Sequence, residues 1–460
     1  MFRRRHTSAV VAAGCALVFG LAVPYVSASE VVHPQVVSED PANTTPRLVP
    51  FGGKDRPYAN AIGQLGDTMY AGGSFLRVWD DRNDVNVDVD NFVIFDAETY
   101  AVDNDIPAFG DEVWAVEPYA DDNAVFVGGE FGDVDGVNNS DRLVKLNADG
   151  SVDESFDAPL NNGRVLDLHM YEGSAGDMLF VGGSAGQKLM ALDPQTGEDT
   201  DYIDLGIADE IVLNGTTAFG DVSVNNFAIS PDQTKLVAVG NFRTVAGQSR
   251  HRAFMVDLPP LPPDAAGEAT LSQWYYTPFE EFCQSTNPRR MAYLSDVDFA
   301  PDSSYFVVVS TGFTPAQGDA NKTVCDAAAR FETPVQPEDM HPFRPTWLNY
   351  TAGDTIWSVV VTGAAVYVQG HFKWLNATGS GTPSNPGDVV DRLGIGAIDP
   401  DKPSVDPNGG RALPWAPAKP AKQGGKQLLA TADGLWVVSD SRRFKGEPRY
   451  GIAFAPLPSS

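Results

Sequence analysis

Cysteine is scarce in this 460-residue chain, with 3 in all, and basic residues are outnumbered, 32 lysines and arginines against 61 aspartates and glutamates. A net charge of −29 repels phosphate backbones, and no basic patch offsets it, which excludes nucleic acid as a partner. The cysteines lack zinc spacing. There is no serine-hydrolase elbow, no His-Glu-x-x-His pair and no phosphate-binding loop. Past the N-terminus no apolar run is long enough to cross a bilayer, so the mature chain is expected to carry no membrane span.

The one apolar run present is short. Arg3, Arg4 and Arg5 precede Val10 to Val23, and Val26-Ser27-Ala28 fits a small-residue cleavage site. Residues 1–28 therefore read as an export signal, with an N-terminal membrane anchor as the alternative. Cys15 follows Gly14 as in a lipoprotein site, but the apolar stretch continues beyond it, which argues against lipidation. Cleavage would move the net charge from −29 to −32 by removing the three arginines. Such a surface keeps a secreted protein soluble and monomeric. It also attracts divalent cations, though a solvated acidic face is the simpler reading. Cys283 and Cys325 remain in the mature chain. In an oxidising compartment they are expected to form a disulfide, two free thiols being the alternative.

Glycine (44) and proline (34) are abundant, which suits many short strands and tight turns better than long helices. One pattern recurs: an apolar strand, two small residues, one further residue, then an aromatic. It is clearest at Met69–Phe75, Val125–Phe131, Leu236–Phe242 and Val366–Phe372. Leu179–Ser184 lacks the aromatic, and Tyr305–Val309 and Leu435–Asp440 are weaker copies. Another short apolar strand precedes most copies and a third follows, often ending in Asp before a turn. The copies lie about 54 to 70 residues apart, a period of stacked or radially arranged sheets. The expected fold is an all-β β-propeller of about seven blades, six being the alternative, with three to four antiparallel strands per blade. An N-terminal strand at Arg47 to Phe51 would close the ring and remove open sheet edges. The expected organisation is an extended linker at 29–46 and one domain at 47–460, with long loops at 258–290, 312–346 and 373–392.

The Gly-Gly-x-Phe strand ends, Arg142 to Leu146 and Ala148-Asp149-Gly150-Ser151-Val152-Asp153-Glu154-Ser155-Phe156 resemble the delta-sixty type of β-propeller repeat. Asp326–Phe331, Thr351–Thr362, Gly370–Asn376 and Asp433–Trp436 are similar to stretches of a family of secreted actinobacterial propeller proteins. The resemblance implies fold and export. It supplies no catalytic residues, and the sequence departs from it at Gly182-Gly183-Ser184-Ala185 and at Val438-Ser439. Some of those relatives carry adhesion-like or carbohydrate-binding domains that this chain lacks.

First strands of propeller blades line a central channel. Here they would present Asp167 and His169, Asn225, and Asp296 and Asp298, with alternation placing each Asp/His or Asp/Asp pair on one face. Carboxylates and an imidazole converging there would bind a metal or do acid–base work, although scattered acids are also ordinary in a solvated channel. Asp84, Asp88 and Asp90 lie in an acid-rich stretch whose oxygens suit calcium, but the stretch lacks the glycine and terminal glutamate of an EF-hand loop, and a solvated insertion is the simpler reading. Trp274, Tyr275, Tyr276, Trp347, His371 and Trp374 lie on or beside the long loops, as platforms for a sugar or a protein partner or as the core of a lid. The repeated Asp-box of sialidase propellers and the copper constellation of galactose oxidase are missing. The expectation is a non-enzymatic, exported module that binds an extracellular polysaccharide or surface protein. A glycan hydrolase or lyase using Asp296 or Asp298 is the alternative.

Overall fold

The computed structural model describes residues 31–136, 142–160, 162–173, 176–213, 217–218, 220–259, 268–283, 293–314, 323–334, 344–420 and 424–459. The expected signal at 1–28 and parts of the loops expected at 258–290 and 312–346 lie outside the described residues.

Among the described residues there is no α-helix, only a 3-10 turn at Thr277–Glu280, and the strands form small antiparallel sheets. Seven of these sheets share one plan, and each opens with a hairpin. The hairpins pair Tyr58–Leu65 with Thr68–Ser74, Val113–Tyr119 with Ala124–Gly129, Val165–Gly173 with Gly176–Gly183, and Ser223–Ile229 with Lys235–Asn241. The last three pair Leu294–Phe299 with Tyr305–Ser310, Ile356–Val361 with Val366–Gly370, and Gly425–Thr431 with Gly434–Ser439. The repeat copies seen in the sequence all fall in the second strand of a hairpin. A third strand follows in each sheet, and Thr270–Leu271 and Trp347–Tyr350 add a fourth to the fourth and fifth sheets.

The second strands read as unbroken apolar runs because both their faces are covered. Ala124–Gly129 and Tyr305–Ser310 are buried at every position, as expected for strands sandwiched on both sides. The core is accordingly divided into slabs between consecutive sheets. One slab joins Tyr70 and Phe92 of the first sheet to Val113 and Val127 of the second. Another joins Met69 and Ala71 of the first sheet to Trp436 and Phe454 of the seventh. The aromatic that ends four of the repeat copies lies in such a slab: Phe75, Phe131, Phe242 and Phe372 are fully buried.

The glycine pair has a steric cause. A Cβ on Gly128 would stand 2.3 Å from Cγ1 of Val165 in the next sheet. A Cβ on Gly129 would stand 2.3 Å from the carbonyl oxygen of Glu112, in the chain leading into its own sheet's first strand. The first glycine lets the next sheet approach, and the second lets the hairpin close on itself.

The N-terminal segment departs from expectation. Residues 31–46, the segment expected as an extended linker, contain no helix or strand and pack against the sheets. Val31 and Val37 are buried among the sixth and seventh sheets, and His33 is buried with Nε2 2.8 Å from the Thr431 carbonyl. The amides of Ser38 and Ala42 donate to the carbonyls of Pro456 and Phe454, so this stretch runs along the third strand of the seventh sheet. The closing strand expected at Arg47 to Phe51 lies elsewhere: Arg47–Leu48 pairs with Arg77–Asp80 in a separate small sheet. The contacts that Ser38, Ala42 and the buried Thr45 make with the seventh sheet fill its open edge before Arg47 is reached.

Candidate functional site

The first strands of all seven hairpins face one cavity of about 1050 Å³. Val31, Val32 and Pro34 line it where the first strands end, tied there by the His33 amide donating to the Thr362 carbonyl. The opposite end is formed by residues near the start of each strand.

Every one of these strands carries a β-bulge at the corresponding place, one or two residues into its pairing. The extra residues are Asn60, Trp114, Leu166, Asn225, Ser295, Trp357 and Lys426, and all of them line the cavity. A bulge bends the strand and re-aims a side chain. Here it turns one residue per sheet toward a common axis.

Three of these residues sit together. Lys426 Nζ lies 5.1 Å from the ring centre of Trp114, 5.6 Å from that of Trp357 and 5.7 Å from that of Tyr58. The two tryptophans are only partly buried. Neither indole N–H has a hydrogen-bond partner among the described residues. Glu112 is already engaged, accepting from the Tyr58 hydroxyl at 3.0 Å and the Asn60 amide at 2.7 Å. Burial lowers the Lys426 pKa, opposed by the charges of Glu112 and Asp440.

Deeper in the cavity the acids bind backbone. The inward edge of each first strand has no neighbouring strand, so its N–H groups need other acceptors. Side chains of the preceding sheet supply them. Glu117 accepts from the Met170 amide at 2.9 Å, Asp167 from Phe227 at 2.7 Å, Asp296 from Val359 at 2.8 Å and Asp298 from Val361 at 2.7 Å. Gln427 does the same from the seventh sheet to the first, taking the Ile62 amide at 2.6 Å. Asp296 and Asp298 each take a second amide from the following residue of their own strand.

Burial pushes the Glu117 and Asp298 carboxyls up to about 7, and Asp296 well above the usual carboxylate range. For His169, burial disfavours the charged ring, but the neighbouring Asp167 carboxylate, 3.5 Å away, outweighs it and raises the pKa to about 9. The deep acids therefore carry less negative charge near neutrality than their number suggests.

The four channel candidates read from the sequence, Asp167, His169, Asp296 and Asp298, thus line one cavity. The loop aromatics are dispersed. Trp274 and Tyr276 are buried in the slab between the fourth and fifth sheets, against Phe331 at 5.5 and 5.2 Å. That placement corrects any picture of them as exposed platforms. They fill the space where the loop crosses the sheet edge. Trp347 is also buried, with Nε1 3.4 Å from the Pro400 carbonyl. Trp374 packs partly buried against the fourth–fifth slab, and His371 stands 4.0 Å from Asp354. Neither lines the cavity.

Asp84, Asp88 and Asp90 are exposed, and Asp88 pairs with Arg77 at 2.5 Å. Among the described residues no group of three or more His, Cys, Asp or Glu is placed to hold a metal ion. Cys283 and Cys325 form the expected disulfide. Sequence reasoning missed Trp114, Trp357 and Lys426. The available signal was a tryptophan at the same point of two related strands, Val113-Trp114-Ala115-Val116 and Ile356-Trp357-Ser358-Val359.

Residues 121–156 match a family model described as a β-propeller domain of unknown function, DUF5122. No curated protein matches the chain. The matched segment covers the second strand of the second hairpin, Ala124–Gly129, that sheet's third strand, Leu143–Leu146, and the turn after it. Among the described residues no helix is long and apolar enough to cross a membrane.

Proposed function

We propose that the chain is an exported β-propeller of seven blades, closed by residues 38–42 along the last blade, that binds an extracellular glycan at the bulge-lined mouth of its central cavity. The carrying observation is the pair of partly buried indoles, Trp114 and Trp357, facing a cavity of about 1050 Å³. Sugar rings stack on such faces, and the amide of Asn225 on the same rim suits their hydroxyl groups. A concave site of this size favours an oligosaccharide over a flat protein surface.

Screening the purified protein against glycan arrays and cell-wall fractions, then measuring hits by calorimetry, tests the reading. Trp114→Ala and Trp357→Ala should each weaken binding by tenfold or more, about 1.4 kcal/mol or above. Absence of any glycan ligand, or binding indifferent to both substitutions, refutes it.

The raised pKa values of Glu117 and Asp298 favour a second reading, a glycan hydrolase or lyase. Against it, both carboxyls are committed to backbone amides. If a polysaccharide panel releases products with the wild type and not with Asp298→Asn, the enzymatic reading prevails.

A further inference from the structure

One sector of the cavity rim carries a lysine with no acid paired to it among the described residues. Lys426 Nζ and the indole N–H groups of Trp114 and Trp357 lie on the same sector, the lysine within 5.1 and 5.6 Å of the two ring centres. Both indole N–H groups lack a partner among the described residues. Lys426 makes no ion pair and no hydrogen bond among them either, although the chain carries 61 acids. The nearest candidate acid, Glu112, is occupied by Tyr58 and Asn60. Several cations elsewhere are matched, Lys145 with Asp122, Lys402 with Glu332, Arg164 with Glu130 and Arg47 with Asp81, while Lys419 Nζ is buried without a hydrogen-bond partner among the described residues.

The three rings hold the ammonium by cation–π contacts but leave its charge without a counter-anion. The carboxylates deeper in the cavity do not supply it, because their oxygens are turned to the backbone of the next sheet. The chain places Trp357 here by a close approach that only glycine permits, since a Cβ on Gly424 would stand 2.1 Å from the indole Cδ1. An ammonium flanked by aromatic faces matches one ligand chemistry: a flat-faced ring bearing an anionic acceptor.

Resting on the glycan-binding reading, we infer that the site is selective for acidic saccharides, and that Lys426, set among the Trp114, Trp357 and Tyr58 rings, receives the carboxylate of a uronic acid residue.

The test uses the full mature protein and three acidic probes: the trimers of galacturonate and of mannuronate, and a glucuronate-containing tetrasaccharide. Each is compared with its carboxyl-reduced neutral counterpart, by calorimetry and by tryptophan fluorescence. At least one acidic probe should bind about tenfold or more tighter than its reduced form, the scale of a charge-assisted hydrogen bond. In Lys426→Gln that ratio should fall to near one while affinity for the reduced form stays unchanged. Lys426→Arg should restore much of the preference, which guards against misreading a folding defect. Trp357→Ala should weaken acidic and neutral forms alike. If neutral forms bind as well as acidic ones, or if Lys426→Gln keeps the preference, the inference is overturned while glycan binding stands. If the folded wild type binds neither these probes nor any arrayed glycan, both readings fall.

Discussion

Replacing Gly129 by alanine should destabilise the protein severely, while the same change at Gly132, three residues on, should not. A Cβ at position 129 would sit 2.3 Å from the Glu112 carbonyl oxygen and 2.9 Å from Cδ1 of Phe131. An ordinary contact needs about 3.4 Å, so one of the two backbones must retreat by about 1 Å. The carbonyl is not free to do so, because it accepts the Glu130 amide at 2.9 Å. Phe131 is fully buried against Phe109 at 4.9 Å, edge to face. Overpacking of this kind costs about 3 kcal/mol or more. At Gly132 nothing lies within 4 Å of the added atom, and the backbone is not in the left-handed region. There alanine should be neutral or stabilise by up to about 1 kcal/mol, by restricting the unfolded chain. Urea unfolding of the two variants beside the parent, followed by tryptophan fluorescence, measures the gap. A Gly129→Ala protein within about 0.5 kcal/mol of Gly132→Ala would refute the steric account of the repeat.

Two further outcomes follow from the buried acids and from the disulfide. Glu117 and Asp298 titrate near 7 in the folded state and near 4 when unfolded, so the folded protein holds more protons between those values. Their contribution is complete below about pH 4 and is lost as pH rises toward 7. His169, raised to about 9, extends the decline from about pH 6.5 to 9. Melting temperature should therefore fall from mildly acid to alkaline pH, and Asp298→Asn, which keeps an acceptor for the Val361 amide, should flatten the pH 4–7 segment. A melting temperature that rises across that segment would contradict the cavity electrostatics. The Cys283–Cys325 bond closes 42 residues between the chain entering the fifth sheet and that sheet's third strand, worth about 4 kcal/mol in the chain-entropy limit. Cys325→Ser should lower the unfolding midpoint by an amount within that limit, and a midpoint unmoved by substitution and by reductant would count against a structural role.

The parts of this molecule that were legible in its sequence, and the parts that were not, divide at the bulges. A second strand such as Val125–Gly129 is legible because burial on both faces demands an unbroken apolar run, and because the collision at position 129 admits little but glycine. Asp167 with His169, and Asp296 with Asp298, are legible because each pair lies beyond its bulge, where strict alternation holds. Trp114, Trp357 and Lys426 are the bulged residues themselves. Counting by twos across an inserted residue assigns every position before it to the wrong face. The loop aromatics failed for a different reason. Composition cannot tell a ring on the surface from one folded into a slab, and Trp274 with Tyr276 fills the gap between two sheets.

The same division explains where the fold leaves room for function. The residue before each bulge is constrained by packing: Ala59, Val113, Val165, Val224, Leu294 and Ile356 are all buried apolar groups, and only Gly425 differs in kind. The bulged residue is not held to one kind of side chain, and across the seven strands it is Asn, Trp, Leu, Asn, Ser, Trp and Lys. A scaffold built from near-identical sheets thus presents one unconstrained position per repeat to a single cavity. Chemistry that the repeat does not require accumulates there, and in this chain it has gathered two indoles and an unpaired ammonium on one side.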